Sequence, residues 1–325
     1  MFAALYKKCG LSEKVLELSE VQYPAINNAK EVIVKIEYSG INPFDIKVRS
    51  GKKGEVKYPF QIPHSDASGV VVQKGKNVKN LKIGQRVWVH SAAWKRQHGT
   101  AAEFCSVPEN LVAPLPERTS FSQGACLGIP ALTAASALLS LNLTEKSNIL
   151  ITGGAGVVGN ACIQLARFLG HNVFATARSD KKIQISKESG VTHVFDSRKS
   201  DFIDNIGKVE KFDAVIDVDF ANTVGWAHKI LKESGKIVTY ASSKIDDFDL
   251  PLKYLISKNI NINFLSVFLF LENDSAGKAV DLVNRALEKS SLKLLEHKIF
   301  DFNDIVLAHR EVEKPDRIGQ VLLKI

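Results

Sequence analysis

The chain has 325 residues, of which 45% are hydrophobic and 24% are charged. This composition excludes a disordered chain, which combines low hydrophobicity with high net charge. The length excludes a small scaffold that depends on disulfides, and it predicts about two domains. Lysine and arginine number 43 against 35 acidic residues, so the formal net charge is +8.

The excess of basic residues is spread along the sequence rather than concentrated in one segment. The longest basic runs are pairs such as Lys7–Lys8, so a nucleic acid is not the expected primary partner. No apolar run approaches the ~18–20 residues of a membrane-spanning helix, and the apolar start of the chain is too short for a signal peptide. The scattered cysteines form no C-x-x-C pair: Cys9, Cys105, Cys126 and Cys162. We therefore expect a cytoplasmic protein with no membrane partner.

The first 120 or so residues are predicted to be rich in β-structure. Glu31–Tyr38 alternates apolar and polar residues as a half-buried strand does, and so does Gly69–His90, which Gly75 and Gly84 interrupt. The proline-rich stretch Pro108–Phe121 predicts a loop and a domain boundary.

From about residue 123 onward, short apolar strands alternate with segments of helical period. This alternation predicts βαβ units and a parallel sheet. Residues 295–325 return to short strand-like pieces. Strands are predicted at 148–152, 172–177, 193–195, 213–218, 236–241 and 260–270, and helices at 159–170, 180–189, 201–207, 222–232, 251–258 and about 274–290.

The most informative motif is a G-x-G-x-x-G run formed by Gly154, Gly156 and Gly159. It follows a predicted strand and opens a predicted helix, which is the context that a dinucleotide-binding turn requires. Gly154 is expected to make the tight turn, Gly156 to let the backbone approach a pyrophosphate, and Gly159 to let the helix pack closely. The alternative is an ordinary βα turn. The helix offers the anion its first N–H groups, those of Val157, Val158 and Gly159.

The end of the next strand indicates which dinucleotide binds. A site for NAD usually carries an acidic residue there to bind the ribose 2′-hydroxyl. Here Ala177 or Arg178 occupies that position, while Asp180 lies past the strand end and is expected to cap the next helix. Cationic and hydroxyl side chains suit a 2′-phosphate, so the sequence favours NADPH over NADH; the alternative is a solvated basic turn. The residues expected at the phosphate are Arg178, Ser179 and Lys182.

The chain resembles the medium-chain dehydrogenase/reductase superfamily, and within it the zinc-independent, zeta-crystallin-like NADPH:quinone oxidoreductases. The resemblance covers nearly the whole length, and the glycine turn completes it. The other segments that carry it are Ser39–Asp45 (SGINPFD), Pro63–Gly69 (PHSDASG), Gly69–Val89, Gly99–Glu103 (GTAAE) and Gly128–Ala134 (GIPALTA).

The resemblance implies an α/β protein with two lobes. One is a β-rich, GroES-like catalytic domain, expected at 1–122 and 293–325. The other is a Rossmann domain with a doubly wound parallel sheet, expected at 123–292 and binding NADPH. In this family the active site lies in the cleft between the lobes.

The zinc ligands of related alcohol dehydrogenases do not recur in register. Asn42, Ser65 and Ile129 stand at the three ligand positions, while His64 and Cys126 are out of register. Zinc requires three or four ligands of fixed geometry. We therefore expect no metal.

The resemblance also implies roles for individual residues. Asn42 is expected to contact the nicotinamide end and to orient an acceptor oxygen, Asp45 to fix the adjoining turn, and Lys47 to reach the nicotinamide ribose. The alternative for Asn42-Pro-x-Asp45 is a plain turn. Arg198 is expected to be a further phosphate contact, because Ser197 stands where relatives often carry an aromatic residue near the adenosine. The nicotinamide pocket is expected to involve Thr133, Ala241, Ser242, Phe268 and Leu269, although the last two are equally typical of core or dimer-edge residues.

The implied activity is hydride transfer from NADPH to a small-molecule quinone without zinc, because an electrophilic acceptor needs no metal. Two alternatives stay open: an NADPH-dependent reductase of α,β-unsaturated carbonyls (a 2-alkenal or enone reductase), and a non-catalytic, crystallin-like protein that binds NADPH or RNA. No residue is convincing as a general acid, so solvent or the cofactor ribose is expected to supply the proton. Ile262–Leu271 is expected to be the outer strand of the Rossmann sheet, pairing in a homodimer.

Overall fold

A computed structural model describes residues 1–209, 211–244, 246, 248–273 and 275–325. The chain forms two compact units. The β-rich unit comprises Met1–Ile129 and Leu294–Ile325, and the α/β unit comprises Pro130–Lys293. The domain boundaries predicted from the sequence lie between residues 122 and 123 and between residues 292 and 293. They remain a prediction.

The strands agree with the predicted order of a β-rich first part followed by strands that alternate with helices. In chain order they are β1 (Phe2–Leu5), β2 (Glu17–Glu20), β3 (Glu31–Ile41), β4 (Asp66–Lys74), β5 (Arg86–Val89), β6 (Phe104–Pro108), β7 (Val112–Pro114), β8 (Asn148–Ile151), β9 (Asn172–Ala177), β10 (His193–Asp196), β11 (Phe212–Asp217), β12 (Leu231–Thr239), β13 (Asn261–Phe264), β14 (Glu296–Asp301) and β15 (Gln320–Lys324).

The helices fall mainly in the middle of the chain. They are α1 (Ser12–Val15), α2 (Pro43–Arg49), α3 (Phe121–Ala125), α4 (Gly128–Leu141), α5 (Val157–Phe168), α6 (Asp180–Glu188), α7 (Phe202–Val209), α8 (Phe220–Ile230), α9 (Leu252–Ser257), α10 (Val267–Phe270), α11 (Ala276–Glu288) and α12 (Ile305–Val312). In the described part of the chain, no helix has the length and apolar character needed to cross a bilayer.

The β-rich unit is built on a sheet of order β14-β15-β3-β4-β5-β7, with β6 paired to β3. The alternation predicted for β3 places Val32, Val34 and Ile36 in one buried cluster, together with Val87 and Val89 of β5. β15, at the end of the chain, pairs antiparallel with β3, so the C-terminal residues complete this sheet.

The α/β unit holds a six-stranded sheet of order β10-β9-β8-β11-β12-β13. All its neighbouring strands run parallel. The chain first winds from β8 towards β10 and then resumes on the other side of β8 with β11. Such a reversal leaves a crevice at the carboxyl ends of the two central strands, where ligands of this fold bind. The predicted α/β class, with a Rossmann sheet beside a β-rich domain, is confirmed.

One predicted strand is shorter than expected. β13 ends at Phe264, and the segment that was predicted to extend it to residue 270 forms the short helix α10. The Leu265 amide makes a last bond to the Thr239 carbonyl of β12, after which the Phe270 amide bonds the Ser266 carbonyl. The apolar run therefore changes from strand to helix in its middle. Apolar residues alone do not distinguish these two structures.

Candidate active site

The glycine turn connects β8 to α5, as the sequence predicts. Gly153 has φ = +66°, so the left-handed residue of the turn is Gly153 rather than Gly154. Gly154 instead lies close to the next strand, because a Cβ at this position would stand 2.7 Å from the Ala175 Cβ. The left-handed residue and the residue packed against the next strand are therefore two neighbouring glycines, Gly153 and Gly154. The motif spacing alone does not show which glycine has which role.

The other two glycines open the helix. Gly156 is the exposed N-cap residue of α5, with the Gly153 carbonyl oxygen as the sole atom within 4 Å of an added Cβ. At Gly159 an added Cβ would lie 2.4 Å from the same oxygen. The helix is therefore so close to the turn that only glycine fits at this position without a shift of the backbone. The first-turn N–H groups of Val157, Val158 and Gly159 have no intrahelical acceptor, and a helix end of this kind suits an anion; their cofactor role stays a prediction.

The residues predicted for a 2′-phosphate lie where β9 passes into α6. Arg178 is exposed directly after β9, and Ser179 is the N-cap of α6, its Oγ accepting a bond from the Lys182 amide at 3.3 Å. The three predicted residues thus occupy one strand–helix junction. Lys182 is half-buried in the first turn of α6.

Arg198 follows β10, the edge strand beside β9. Its guanidinium donates to Asp196 at 2.7 and 2.9 Å and to Asp180 at 2.6 Å. These hydrogen bonds hold the pKa of Asp196 near 2, below its ordinary value. The predicted phosphate role of Arg198 therefore competes with two carboxylates that already hold it.

Asp217, a residue that the sequence analysis did not single out, ties together the carboxyl ends of the central strands. It is fully buried at the end of β11 and accepts bonds from Thr152 Oγ1 at 2.9 Å and Thr239 Oγ1 at 3.0 Å. Burial raises the pKa of Asp217. The sequence does carry a signal for this residue, because an acidic side chain ends the otherwise mainly apolar strand FDAVID.

The predicted nicotinamide residues of the α/β unit fall into different environments. The Ala241 carbonyl accepts bonds from the Phe220 amide and from Thr239 Oγ1, both at 3.1 Å, and Ser242 Oγ accepts from the Ala221 amide at 3.3 Å. Within α10, Phe268 is buried whereas Leu269 is 53% exposed. Thr133 is buried in α4. Their cofactor roles stay predictions.

In the β-rich unit, Asn42 stands at the centre of a buried polar cluster. It is 1% exposed and is the N-cap residue of α2, with Pro43 at the first helical position. Its Nδ2 donates to Asp66 Oδ2 at 2.7 Å, and its Oδ1 accepts from Gln320 Nε2 at 3.1 Å. The same Asp66 oxygen accepts the Ile129 backbone N–H at 2.7 Å.

Asp45 closes the other side of this cluster. Its Oδ2 accepts the Asn42 backbone N–H at 2.7 Å, which fixes the turn that opens α2. Burial raises the pKa of Asp45 to about 7. Burial, and then the nearby Asp45 carboxyl, raise the pKa of Asp66 well above its ordinary value. Two buried carboxyls thus flank one asparagine. Lys47, two residues further along α2, is exposed.

His64 belongs to a second buried chain of polar groups. Its Nδ1 lies 2.9 Å from Ser39 Oγ, and its Nε2 lies 2.9 Å from His309 Nε2. Burial lowers the pKa of His64 to about 3 and lowers that of His309 as well. Both rings are therefore neutral, and a single proton occupies the bond between them. Among the described residues, no group of three His, Cys, Asp or Glu side chains is placed to hold a metal ion.

Comparison with known proteins agrees with this geometry. Residues 28–117 match the family described as alcohol dehydrogenase GroES-like domain, and residues 157–285 match that described as zinc-binding dehydrogenase. The rat quinone oxidoreductase is 35% identical over 316 residues, covering 95% of this chain and 94% of the relative. The tomato 2-methylene-furan-3-one reductase is 36% identical over 237 residues, covering 70% of this chain and 59% of the relative.

Solved structures resemble the chain over its whole length. The quinone oxidoreductase from Coxiella burnetii has a TM-score of 0.81 at 25% identity, covering 100% of this chain and 99% of that one. A mycobacterial protein solved in complex with NADPH has a TM-score of 0.85 at 23% identity, and each chain is covered completely. The quinone oxidoreductase relatives, together with the matching family models, identify the chain as an oxidoreductase. This chain belongs to the medium-chain dehydrogenase/reductase superfamily, in its quinone oxidoreductase-like branch.

The raised pKa of Asp45 makes stability depend on pH. The folded state holds a proton on Asp45 up to about pH 7, whereas an unfolded aspartate loses it near pH 4. The stabilisation is therefore complete below pH 4 and is lost as the pH rises through 7. We expect Asp45→Asn to flatten the fall in the free energy of unfolding between pH 4 and 7, by at most about 1.4 kcal/mol per pH unit.

Denaturant titrations at pH 5, 6 and 7 measure this slope. Asp301→Asn, at an exposed position of the same β-rich unit, is the matched control. An unchanged slope in Asp45→Asn would contradict the assignment.

Two helical glycines of the α/β unit make a second matched pair. Gly159→Ala places a methyl group 2.4 Å from a backbone oxygen, so the turn must shift. We expect a loss of about 1–3 kcal/mol in stability together with weaker NADPH binding. At Gly207 of α7 an added Cβ meets no atom of a described residue within 4 Å, so Gly207→Ala should stabilise by about 0.5–1 kcal/mol with unchanged binding. Thermal unfolding and fluorescence titration with NADPH give both quantities, and equal NADPH affinities in the two variants would disprove the role of Gly159.

Proposed function

We propose that this oxidoreductase transfers a hydride from NADPH to a small-molecule quinone, without a bound zinc ion. The observation that carries the proposal is the Asn42 cluster, in which a neutral amide occupies a position that holds a metal ligand in zinc relatives. The glycine turn of the α/β unit supports a nicotinamide dinucleotide, because its exposed Gly156 and open helix end suit a pyrophosphate.

The preference for NADPH rests on the junction of β9 and α6. The position that an acid occupies in NAD sites is Ala177, and it is followed by the exposed cation Arg178 and the capping Ser179. A guanidinium and an N-terminal hydroxyl donate hydrogen bonds to a phosphate, whereas a ribose hydroxyl gains little from them.

The three positions of the zinc ligands do not fit a metal. Asn42 Nδ2 and the Ile129 amide both point their N–H groups at the same Asp66 oxygen. Donor hydrogens, not lone pairs, therefore face the space between these residues, and Ser65 offers no soft ligand there. Asp66 Oδ1 is buried without a hydrogen-bond partner, and burial raises the pKa of this carboxyl well above its ordinary value, so a proton rather than a cation suits it.

The bound cofactor supplies the hydride, and the chain supplies binding and orientation. The quinone accepts one hydride on an electrophilic atom and one proton at its oxygen, which gives the hydroquinone and NADP⁺. The Asn42 side chain orients the acceptor oxygen, and Asp66 Oδ2, at 2.7 Å from Nδ2, holds the amide in place. Solvent or the cofactor ribose would provide the proton, and Lys47 would hold the nicotinamide ribose. The residues that would line the nicotinamide pocket are Thr133, Ala241, Ser242, Phe268 and Leu269.

An enone reductase is the second candidate. The relatives that favour it are the tomato 2-methylene-furan-3-one reductase and the Arabidopsis NADPH-dependent alkenal/one oxidoreductase, which is 32% identical over 231 residues. An enone and a quinone share a carbonyl conjugated to a carbon–carbon double bond, so one donor on the carbonyl oxygen serves both.

A homodimer through the edge of the Rossmann sheet is also proposed. β13 is the outermost strand and presents Phe264, 68% exposed, while Leu252 and Ile256 of the neighbouring helix α9 are 57% and 74% exposed. Apolar side chains on an open sheet edge favour pairing with a second copy.

Cofactor oxidation followed at 340 nm tests the activity. We expect turnover that resists a chelator, prefers NADPH to NADH and is faster with 9,10-phenanthrenequinone than with crotonaldehyde or 3-penten-2-one. Faster turnover of the enal or enone would favour the second candidate. No turnover of any acceptor, with NADPH still bound, would refute both.

Removal of one cation tests the choice of cofactor. Arg178→Ala should raise the KM for NADPH about 10- to 100-fold and leave that for NADH unchanged, because one charge-assisted bond to the 2′-phosphate is lost. Lys187→Ala, in the last turn of the same helix α6, is the control and should change neither constant. A parallel rise for both cofactors in Arg178→Ala would contradict the proposed contact.

Light scattering at micromolar concentration tests the assembly. The parent chain is expected to be a dimer and Phe264→Glu a monomer, because a charge replaces an apolar edge contact. Ile83→Glu, at an equally exposed apolar residue of the β-rich unit, should stay dimeric. A monomeric parent would disprove the dimer.

A further inference from the structure

Asp217 joins the two elements of the α/β unit that are proposed to bind opposite ends of the cofactor. Its strand, β11, lies between β8, which leads into the glycine turn, and β12, which leads to Ala241 and Ser242. β11 therefore separates the two elements, and the Asp217 side chain provides a link between them.

The first half of this link reaches the glycine turn. Thr152 Oγ1 accepts the Val218 amide at 2.9 Å and donates its own proton to Asp217 Oδ1, also at 2.9 Å. Thr152 directly precedes Gly153, the left-handed residue of the turn. Val218 lies against the same glycine, because a Cβ added there would stand 3.1 Å from Val218 Cγ1. The end of β11 thus holds the start of the turn.

The second half of the link reaches the segment after β12. The Thr239 hydroxyl lies 3.0 Å from Asp217 Oδ2 and 3.1 Å from the Ala241 carbonyl oxygen, so its one proton is shared between two acceptors. Thr152, Asp217, Thr239 and Ala241 form a continuous chain of hydrogen bonds, which we call the Asp217 bridge. Its three side chains are buried, so water does not replace a bond that is lost there.

We infer that Asp217 is a positioning residue, which holds the glycine turn and the end of β12 at a fixed separation so that one cofactor molecule binds to both. This inference rests on the proposed function, because it takes the turn as the pyrophosphate site and the segment after β12 as part of the nicotinamide pocket. A ligand with two linked ends gains affinity from the second end only when the protein holds both sites at the matching distance. The nicotinamide therefore adds affinity only while the Asp217 bridge is intact.

Two ligands that differ at one end separate positioning from a structural role. NADPH reaches both elements, whereas 2′-phospho-ADP-ribose carries the same phosphates and lacks the nicotinamide. The dissociation constant of this fragment divided by that of NADPH measures what the nicotinamide contributes. Fluorescence titration gives the value for NADPH, and competition gives that for the fragment.

The variants Thr152→Val and Thr239→Val each remove one hydroxyl of the bridge with little change of shape, and a double variant removes both. The turn keeps its bonds to β9, where Thr176 accepts the amides of Gly153 and Gly154, so these variants are expected to fold. We expect the ratio to fall about tenfold in each single variant, as for the loss of one hydrogen bond to a charged group. It should fall no further in the double variant, because one missing bond already interrupts the bridge.

Two further variants serve as controls. Ser147→Ala deletes a buried hydroxyl near the other end of β8, where Ser147 Oγ donates to the Glu145 carbonyl at 2.9 Å, and it should leave the ratio unchanged. Asp217→Asn should keep the ratio within about threefold, because an amide can accept from Thr152 and donate to Thr239, which then gives its proton to the carbonyl beyond it.

An unchanged ratio in both valine variants would overturn the inference. Losses that multiply in the double variant would overturn it as well, since two independent local effects would then explain them. So would equal dissociation constants for the two ligands in the parent chain. Failure of the parent chain to bind NADPH is a different result, because it refutes the proposed function itself. If one valine variant unfolds, the other is still compared with Ser147→Ala and Asp217→Asn.

Discussion

One buried carboxyl group holds the polar cluster of the β-rich unit together. Asp66 binds Asn42, 24 residues earlier in the chain, and the Ile129 amide, 63 residues later. A polar group removed from water is costly unless it is hydrogen-bonded, so the fold must bring these two donors to its Oδ2 atom. Through Asn42 the network continues to Gln320 in the last strand, and it therefore includes the C-terminal end of the chain. The same bonds therefore fix both the turn that opens α2 and the sheet of the β-rich unit.

The α/β unit solves a similar problem with Asp217. Its carboxylate accepts hydroxyl bonds from the ends of β8 and β12, the strands on either side of β11. Thr152 is also the residue directly before the glycine turn, and its Oγ1 accepts the Val218 amide at 2.9 Å. The hydrogen bonds of Thr152 and Thr239 to Asp217 thus fix where the glycine turn begins relative to the ends of the neighbouring strands. This arrangement lies at the reversal of strand order, where the fold places its ligand.

The charged groups around Asn42 and those around α6 differ in burial. Around Asn42 the acids are buried and raised in pKa, so their proton affinity rather than a cation compensates their burial. Around α6 the charges are exposed, and Arg198 is shared between Asp180 and Asp196. Exposed ion pairs contribute little to stability, so this pairing matters mainly for the charge offered to a ligand.

The sequence by itself determined the superfamily, the α/β class with its β-rich and Rossmann parts, and the position of the glycine turn. These features rest on local periodicity and on motifs that are contiguous in the chain. The tertiary structure decided that Gly153, not Gly154, is the left-handed residue, and that the apolar segment after β13 turns into a helix. It also revealed Asp66, Gln320 and Asp217 as the partners that orient the sites. Their bonds join residues 22 to 279 positions apart, and hydrogen bonds over such separations leave no periodic trace in the sequence.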